Sequence, residues 1–209
     1  MIKQQALKYL GYHDQLLDDD FDKLYDTCEK EVIEYSHFKQ VHQICTLTDD
    51  LVIQELNISL LFDDTKYYLQ GCHHVMLIGA TLGIDVERRI KYTSKINMSK
   101  AVIMDAIASS YLEYALDEYE KTLDLKDRTF RFAPGYGDVP VLLNKEFYKY
   151  LNMYKYLGVT LTESGLFVPQ KTMLCFIGIG KDHKHKECGH CIRKDTCSLR
   201  KDNKRCWID

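Results

Sequence analysis

The 209-residue chain has only three prolines and no long apolar run. Its most apolar stretch, Val75 to Ile84, contains two glycines and is far shorter than the ~20 residues that a membrane-spanning helix needs. No repeat or low-complexity segment is present, and the N-terminus lacks the charged-then-apolar plan of a signal peptide. We therefore expect a soluble, cytoplasmic protein without a membrane partner, in which the eight cysteines form no disulfides.

Over most of the chain, acidic residues outnumber the basic residues that would favour nucleic-acid binding. The net charge is −3, and residues 181–209 carry nine Lys or Arg against five Asp or Glu, which leaves −7 on residues 1–180. Because an acidic body repels phosphates, we expect no nucleic-acid partner. The basic tail is either a solvated segment or a docking surface for an acidic partner.

Helical and strand patterns follow one another in mixed order, without the regular alternation of βαβ units. The predicted fold class is therefore α+β, with helices packed on a bent antiparallel sheet in residues 1–180 and a cysteine-rich tail in residues 181–209. Four scattered cysteines, Cys28, Cys45, Cys72 and Cys175, are expected to be small buried apolar residues. Helices are predicted at 3–10, 21–35, 63–69, 85–92, 98–123 and 145–157, with N-caps at Asp18–Asp20, Asn97 or Ser99, and Asn144. Strands are predicted at 41–47, 51–58, 75–80, 128–133, 159–161, 166–168 and 172–179.

Two of the three prolines fall in one ten-residue segment, Arg131 to Pro140, which also holds two glycines. That density of breakers excludes a helix or a central strand and predicts a fixed, sharply turning loop. Arg131 enters the loop and Tyr136 stands at its apex, so the loop offers a cationic fork, an aromatic face and nearby backbone groups to a small ligand. The alternative is that Arg131 pairs with a surface carboxylate and that the prolines and glycines only build a turn.

The R-x-A-P-G-Y loop is followed by a predicted helix, the segment L-T-E-S at Leu161–Ser164, and a proline-led strand at Val168–Thr172. This series resembles the activation domain of cobalamin-dependent methionine synthase, which binds S-adenosylmethionine (SAM). The resemblance covers residues 105–180, and before them only Leu7–Tyr12 and Ala80–Gly83 are similar in pattern to free-standing versions. It implies a free-standing activation-domain protein that serves methionine biosynthesis or another corrinoid pathway.

The resemblance implies SAM contacts at Arg131, Ala133, Gly135 and Tyr136, with Arg131 on the ligand carboxylate and Tyr136 also shaping the methyl-transfer face. It further implies that Glu113 points an acidic group toward the same site from the long helix.

Asp105 and Ser109 lie roughly on the same side of that helix as Glu113, because each step of four residues turns by about 40°. Thr162, Glu163 and Ser164 are expected to form a turn that holds the loop and not to contact ligand.

The chain contains no D-x-H-x-x-G cobalamin motif, so the resemblance implies that a partner holds the cobalamin. The expected function is an accessory subunit, not a self-sufficient enzyme. It supports reductive methylation of cob(II)alamin on a cobalamin-binding methyltransferase, such as a methionine synthase lacking its own activation domain.

The sequence departs from the full-length enzymes at Gly137–Val139 and Phe167–Pro169, on the expected corrinoid-facing rim, which leaves the identity of the partner open. Two alternatives remain: a non-catalytic SAM- or metal-binding regulatory protein, and a small zinc-tail interaction module with a structural loop.

Four cysteines near the C-terminus are separated by two, five and eight residues. A C-x-x-C pair with two further cysteines nearby predicts a metal site in a reduced compartment. Both a Cys₄ zinc site and an iron–sulfur cluster fit the pattern, and a cluster would also act as an electron donor to the corrinoid. The alternative is four reduced thiols without metal. The expected ligands are Cys188, Cys191, Cys197 and Cys206, with His183, His185 or His190 able to replace one of them.

Overall fold

The computed structural model describes residues 2–12, 16–123, 125, 127–180 and 195–196. The α+β class predicted from the sequence is confirmed, with an antiparallel sheet and helices packed on it. The helices are α1 (Ile2–Tyr9), α2 (Asp19–Tyr35), α3 (Asp63–Leu69), α4 (Ile84–Ser94), α5 (Met98–Thr122), α6 (Leu143–Tyr150) and α7 (Met153–Leu157). The strands are β1 (Lys39–Thr46), β2 (Val52–Ile53), β3 (Ile58–Ser59), β4 (His74–Thr81), β5 (Thr160–Leu161), β6 (Phe167–Val168) and β7 (Thr172–Ile179).

The main sheet has the strand order β1-β4-β7, and both pairings are antiparallel. Because successive side chains of a strand point to opposite faces, the central strand β4 buries Val75 and Leu77 on one face and Met76 and Ile78 on the other. This burial on both faces explains why the segment is a nearly continuous apolar run. In the described part of the chain, no helix combines the length and apolarity required to span a bilayer.

Two helical layers enclose the sheet. Helix α5 is the centre of one layer, where it packs against α1, α2 and α4 and buries Met104 and Ile107 against Met76 and Ile78. The other layer contains α3, α6, α7 and the β2–β3 hairpin, packed on the opposite face of the sheet. The four scattered cysteines are buried as predicted, two in each core.

Polar side chains begin the two longest helices. Asp18 Oδ1 accepts a 2.7 Å hydrogen bond from the Phe21 N–H, and Asn97 Oδ1 accepts one of 3.0 Å from the Lys100 N–H. These bonds satisfy amide groups that have no partner within the helix. Of the two N-caps considered for α5, Asn97 is therefore correct, and α5 continues for 25 residues without an interior Gly or Pro.

Two strand predictions are wrong in detail. Residues 51–58 form the short strands β2 and β3, because a turn at residues 54–57 interrupts them. Residues 128–133 pair with β7 only through isolated bridges at Arg128 and Phe132, so the segment leading into the R-x-A-P-G-Y loop is irregular.

The helix predicted at 145–157 is two helices, because Asn152 adopts a left-handed conformation (φ 49°) between α6 and α7. Asn144 is not an N-cap. It lies inside α6, where its buried Nδ2 donates a 2.9 Å hydrogen bond to the Gly165 carbonyl.

Candidate functional site

The loop from Arg131 to Pro140 is closed by its own backbone hydrogen bonds. The Gly135 N–H donates to the Val139 carbonyl (2.8 Å), the Tyr136 N–H to the Ala133 carbonyl (3.0 Å), and the Val139 N–H to the Tyr136 carbonyl (3.1 Å). Gly135 has φ +89°, a conformation that glycine adopts without steric cost. The Gly135 N–H is therefore committed to the loop, and a ligand would meet other atoms of Ala133 and Gly135. As ligand contacts these two residues remain predictions.

Gly137 and Asp138, two of the residues that depart from the family pattern, attach the loop to α3. The Asp138 carboxylate accepts hydrogen bonds from the N–H groups of Asp63 (2.7 Å) and Asp64 (3.3 Å) at the start of that helix. Gly137 has φ +61°, and a Cβ at this position would lie 1.7 Å from Asp64 Oδ2. Gly137 and Asp138 thus have a structural role in this chain.

The L-T-E-S segment forms the turn between β5 and β6, as predicted. Thr162 Oγ1 accepts a 3.0 Å hydrogen bond from the Leu166 N–H and lies 2.9 Å from Ser164 Oγ. Val141 lies next to both the loop and the turn, since a Cβ added at Gly135 would be 3.5 Å from its side chain and one added at Gly165 would be 3.1 Å from its carbonyl oxygen. Glu163 is exposed in this turn.

Arg131 lies between two carboxylates of its own chain. Its Nη1 is 2.5 Å from Glu120 Oε1 and its Nη2 is 2.7 Å from Asp117 Oδ1, while Arg128 pairs with the other Glu120 oxygen. Although burial alone would lower it, the Glu120 and Asp117 charges raise the pKa of Arg131 above its usual value. Arg131 therefore pairs with one buried carboxylate, Glu120, and one half-exposed carboxylate, Asp117, and a direct contact of Arg131 with a ligand remains a prediction.

One side of α5 carries a polar ridge that consists of Asp105, Ser109, Glu113 and Asp117. Each member has a partner from another part of the chain: Lys171 Nζ is 2.8 Å from both Asp105 Oδ1 and Ser109 Oγ, Glu113 accepts from Tyr9, and Asp117 pairs with Arg131. Successive members are neighbours on the helix surface, and because each step of four residues turns by about 40°, the ridge winds around α5 by about 120° from Asp105 to Asp117. The ridge therefore connects the Lys171 end of the site to the Arg131 end.

Tyr9 of α1 lies near both Glu113 and Tyr136, which were predicted to share a site. The Tyr9 hydroxyl donates a 2.6 Å hydrogen bond to Glu113 Oε1. Burial, followed by this hydrogen bond, raises the pKa of Tyr9 to about 12, and the nearby Tyr136 adds to the rise. Tyr136 is 59% exposed at the loop apex. Tyr9 thus contacts Glu113 and lies near Tyr136, and a shared ligand site for Glu113 and Tyr136 remains a prediction.

Lys171 is a residue that the sequence reasoning missed. It lies just before β7, only 8% exposed, and its Nζ ends at the polar ridge. Burial of an ammonium group is costly unless it is paired, and Asp105 with Ser109 supplies the pairing. The sequence offered one indication of this pair. A lysine stands between Pro169 and a strongly apolar strand, and a charge that is buried at such a position requires a partner.

A cleft of about 450 Å³ opens between α1, α4 and α5, next to the ridge. The cleft is open to solvent and most of its wall is apolar, and Asp105 and Ser109 of the ridge are among its polar lining residues. The lining residues are Tyr9, Leu10, Ile90, Ser94, Met98, Ala101, Val102, Asp105, Ala106 and Ser109.

The predicted ligands Cys188, Cys191, Cys197 and Cys206 lie outside the described residues, so the geometry does not test the metal site. Within the described ranges, no group of three or more His, Cys, Asp or Glu side chains is arranged to hold a metal ion. A metal site in this protein therefore remains a prediction for the C-terminal segment.

The architecture of this chain is similar to that of a protein of known structure. No family model and no curated protein sequence matches the chain. Among solved structures, the crystal structure of the MetH reactivation domain bound to AdoHcy matches with a TM-score of 0.62 and 11% sequence identity, over 98% of this chain and 84% of that one. At this identity the likeness concerns the fold, and the predicted resemblance is confirmed at that level: this chain has the fold of the methionine synthase reactivation domain.

Proposed function

We propose that the chain is a SAM-binding accessory subunit that supports reductive methylation of cob(II)alamin on a partner corrinoid methyltransferase. The observation that carries the proposal is the fold, shared over 98% of the chain with a reactivation domain bound to AdoHcy. The cleft beside α5 and the R-x-A-P-G-Y loop supply the groups that such a ligand requires.

SAM combines an adenine, a sulfonium cation and a zwitterionic amino-acid end. The apolar wall of the cleft, which includes Leu10, Met98 and Val102, suits the adenine ring. The Glu113 carboxylate, fixed by the Tyr9 hydroxyl, offers a negative charge toward the sulfonium. The other residues of the polar ridge offer hydrogen-bonding groups to the amino-acid end of SAM.

The loop contributes an exposed aromatic face at Tyr136, which we assign to the side where the methyl group leaves. Ala133 and Gly135 allow close approach because neither has a bulky side chain. Arg131 fixes the entry to this loop through its carboxylate pairs. These residues bind and orient the ligand, and none of them acts as a nucleophile or a base.

A cobalamin held by the partner would supply, once reduced by one electron from a donor, the cobalt centre that takes the methyl group of SAM and leaves AdoHcy. The contribution of this chain to the rate is proximity, because it presents SAM in a fixed orientation to the partner. The basic C-terminal segment and its four cysteines are proposed to hold zinc or an iron–sulfur cluster, and a cluster would deliver the electron.

The test is calorimetric titration of the protein with SAM and AdoHcy, followed by reductive methylation of a cob(II)alamin methyltransferase in its presence. We expect saturable binding and faster methylation, and Tyr136→Phe should retain affinity while slowing the methylation if its hydroxyl faces the cobalt. Binding without any effect on methylation would favour the regulatory alternative. Absence of binding would leave the zinc-tail interaction module.

A further inference from the structure

We infer that the outer edge of strand β1 is a dimer interface, at which β1 pairs antiparallel with β1 of a second copy of this chain. The pairing is independent of the proposed function. It joins two three-stranded sheets into one, because β1 is an outer strand in the order β1-β4-β7. At the opposite edge of the sheet, Phe132 bridges to β7, so the pairing does not involve the R-x-A-P-G-Y loop.

Alternate residues of β1 leave their backbone groups without partners. The odd-numbered residues direct their N–H and C=O groups toward β4, and the pattern continues just beyond the strand, where the Leu47 N–H donates to the His73 carbonyl. The even-numbered residues Gln40, His42 and Ile44 therefore direct their backbone groups toward the outer edge. Within the described ranges, no hydrogen bond satisfies the N–H or the C=O of any of these three residues.

The free edge ends where the β2–β3 hairpin reaches it. The Thr46 carbonyl accepts a 3.0 Å hydrogen bond from the Gln54 N–H, and the Thr46 N–H donates to both carboxylate oxygens of Glu55, at 2.8 and 3.0 Å. The strand pairs with β4 residue for residue, without a bulge or a proline, and its one lysine, Lys39, is its first residue. Natural proteins commonly block a long edge with such devices, so an unblocked edge of this kind is a pairing site.

A two-fold axis at His42 satisfies all the free groups of this edge. Gln40 of each copy then lies opposite Ile44 of the other, and the two His42 residues face each other, with two hydrogen bonds exchanged in each pair. An axis at Gln43 would place Gln40 opposite Thr46, whose backbone groups are already bonded. The two-fold arrangement also brings a neighbour to Ile44, which is 50% exposed.

The charges at the two ends of the edge are complementary in the same register. Lys39 and Glu55 are both exposed, and within the described ranges neither has an ion-pair partner. With the axis at His42, Lys39 of one copy lies opposite Cys45 of the other, next to the position where Glu55 is held. An axis at Val41 would move Lys39 away from Glu55. A second copy of this chain therefore fits the edge in both hydrogen bonding and charge.

Sedimentation velocity on the full chain tests the dimer. Because edge pairing covers less surface than a standard interface, we expect a monomer–dimer equilibrium between about 1 and 100 µM protein. Ile44→Pro should raise the dissociation constant about tenfold or more, since it removes an outward N–H and leaves the bonds to β4 intact. Lys39→Glu should raise it about tenfold through repulsion from Glu55. Lys30→Glu, at an exposed lysine of α2, is the matched control and should leave the equilibrium unchanged.

Disulfide trapping tests the register. His42→Cys should give a disulfide-linked dimer on oxidation, because facing residues of a hydrogen-bonded pair have Cα atoms about 5.5 Å apart, within reach of a disulfide. Gln43→Cys, at a more exposed position one residue further on, lies opposite Val41 of the other copy and should remain unlinked. A monomer at every concentration would overturn the inference. So would a dimer that neither Ile44→Pro nor Lys39→Glu weakens, or one in which His42→Cys links no faster than Gln43→Cys.

Discussion

The Tyr9 hydroxyl donates a 2.6 Å hydrogen bond to Oε1 of Glu113, which joins the N-terminal helix to the middle of the longest one. Burial and this bond raise the pKa of Tyr9 to about 12, so the phenol remains a donor at neutral pH. Glu113 is thereby held in one orientation beside Tyr9, which lines the cleft. A fixed carboxylate at this point favours a cationic ligand over a neutral one.

Glu113→Gln should therefore weaken the binding of SAM more than that of AdoHcy, which lacks the positive charge. We expect the difference to be about 1 kcal/mol, the size of an attraction between unit charges a few ångströms apart in a solvated site. Titration calorimetry with both ligands measures it. Glu118→Gln, on the same helix and paired with Lys121, is the control and should change neither affinity. An unchanged ratio of affinities in Glu113→Gln would remove Glu113 from the site.

Arg131→Met should destabilise the fold, because Glu120 is only 6% exposed and would lose one of its two cationic partners. Breaking a buried ion pair by removing one partner costs about 3 kcal/mol or more of the free energy of unfolding. Lys23→Met, which removes an exposed pair with Asp20, should cost less than about 1 kcal/mol. Urea denaturation followed by circular dichroism compares the two. Equal losses in both variants would show that the Arg131 pairs contribute no more than a surface contact.

Gly137→Ala and Gly158→Ala separate conformational strain from steric contact. Both glycines have positive φ, +61° and +68°, so each substitution should cost about 1 kcal/mol for the left-handed conformation. At Gly158 no atom lies within 4 Å of the added Cβ, whereas at Gly137 the Asp64 carboxylate must move. We expect Gly137→Ala to be the more destabilising by about another 1 kcal/mol, measured by urea denaturation. A smaller loss at Gly137 than at Gly158 would mean that the loop and α3 are not in contact in solution.

Cys28 and Cys175 should resist alkylation in the native protein. Burial raises the pKa of their thiols to about 11 and about 12, so at about pH 8 about one molecule in a thousand or fewer holds a reactive thiolate. The native state keeps protons that the unfolded chain releases above about pH 9, and the free energy of unfolding should therefore fall between about pH 9 and pH 12. Mass spectrometry after iodoacetamide treatment, with and without denaturant, tests the first statement. Equal labelling in both conditions would contradict it.

The C-terminal cysteines should bind metal in anaerobically purified protein. Replacing Cys188 and Cys191 by Ser removes two of the four expected thiolate ligands, and the metal content should fall to background. Elemental analysis gives the metal, and a visible absorption band distinguishes an iron–sulfur cluster from zinc. Cys72→Ser, at a buried cysteine of the core, is the control and should leave the metal content unchanged. Metal-free protein would refute the site, and zinc without visible absorption would exclude the electron-donor role.

The elements with strong local signals were predictable from the sequence. Strand β7 was predicted with its observed bounds because its apolar run is bracketed by Pro169 and Gly180, and the N-caps Asp18 and Asn97 precede helical patterns. The N-cap prediction for Asn144 was wrong. An asparagine before a helical pattern is typical of an N-cap, but the actual hydrogen-bond partner of its side chain, Gly165, is 21 residues away. Long-range pairs of this kind leave no local pattern.

In the candidate site, too, the local features were predictable from the sequence and the long-range contacts were not. The loop was predictable because prolines and glycines determine the backbone conformations available at their own positions. Glu113 was predicted from the resemblance to the methionine synthase activation domain. The partners of the site residues were not predictable: Arg131 pairs with Glu120 and Lys171 with Asp105 across separate elements. Which carboxylate a cation meets depends on how separate parts of the chain pack against α5, and this packing cannot be inferred from spacing along the sequence.

The anchoring of the loop by Asp138 to α3, and by Val141 between two glycines, has a thermodynamic consequence. A backbone that is already immobilised loses little conformational entropy when a ligand arrives. Association at this site should then resemble docking to a preformed surface, with rates limited by encounter and not by folding of the loop. Substitutions that break the hydrogen bonds between Asp138 and α3 should therefore slow the association of the ligand, although Asp138 itself need not contact the ligand.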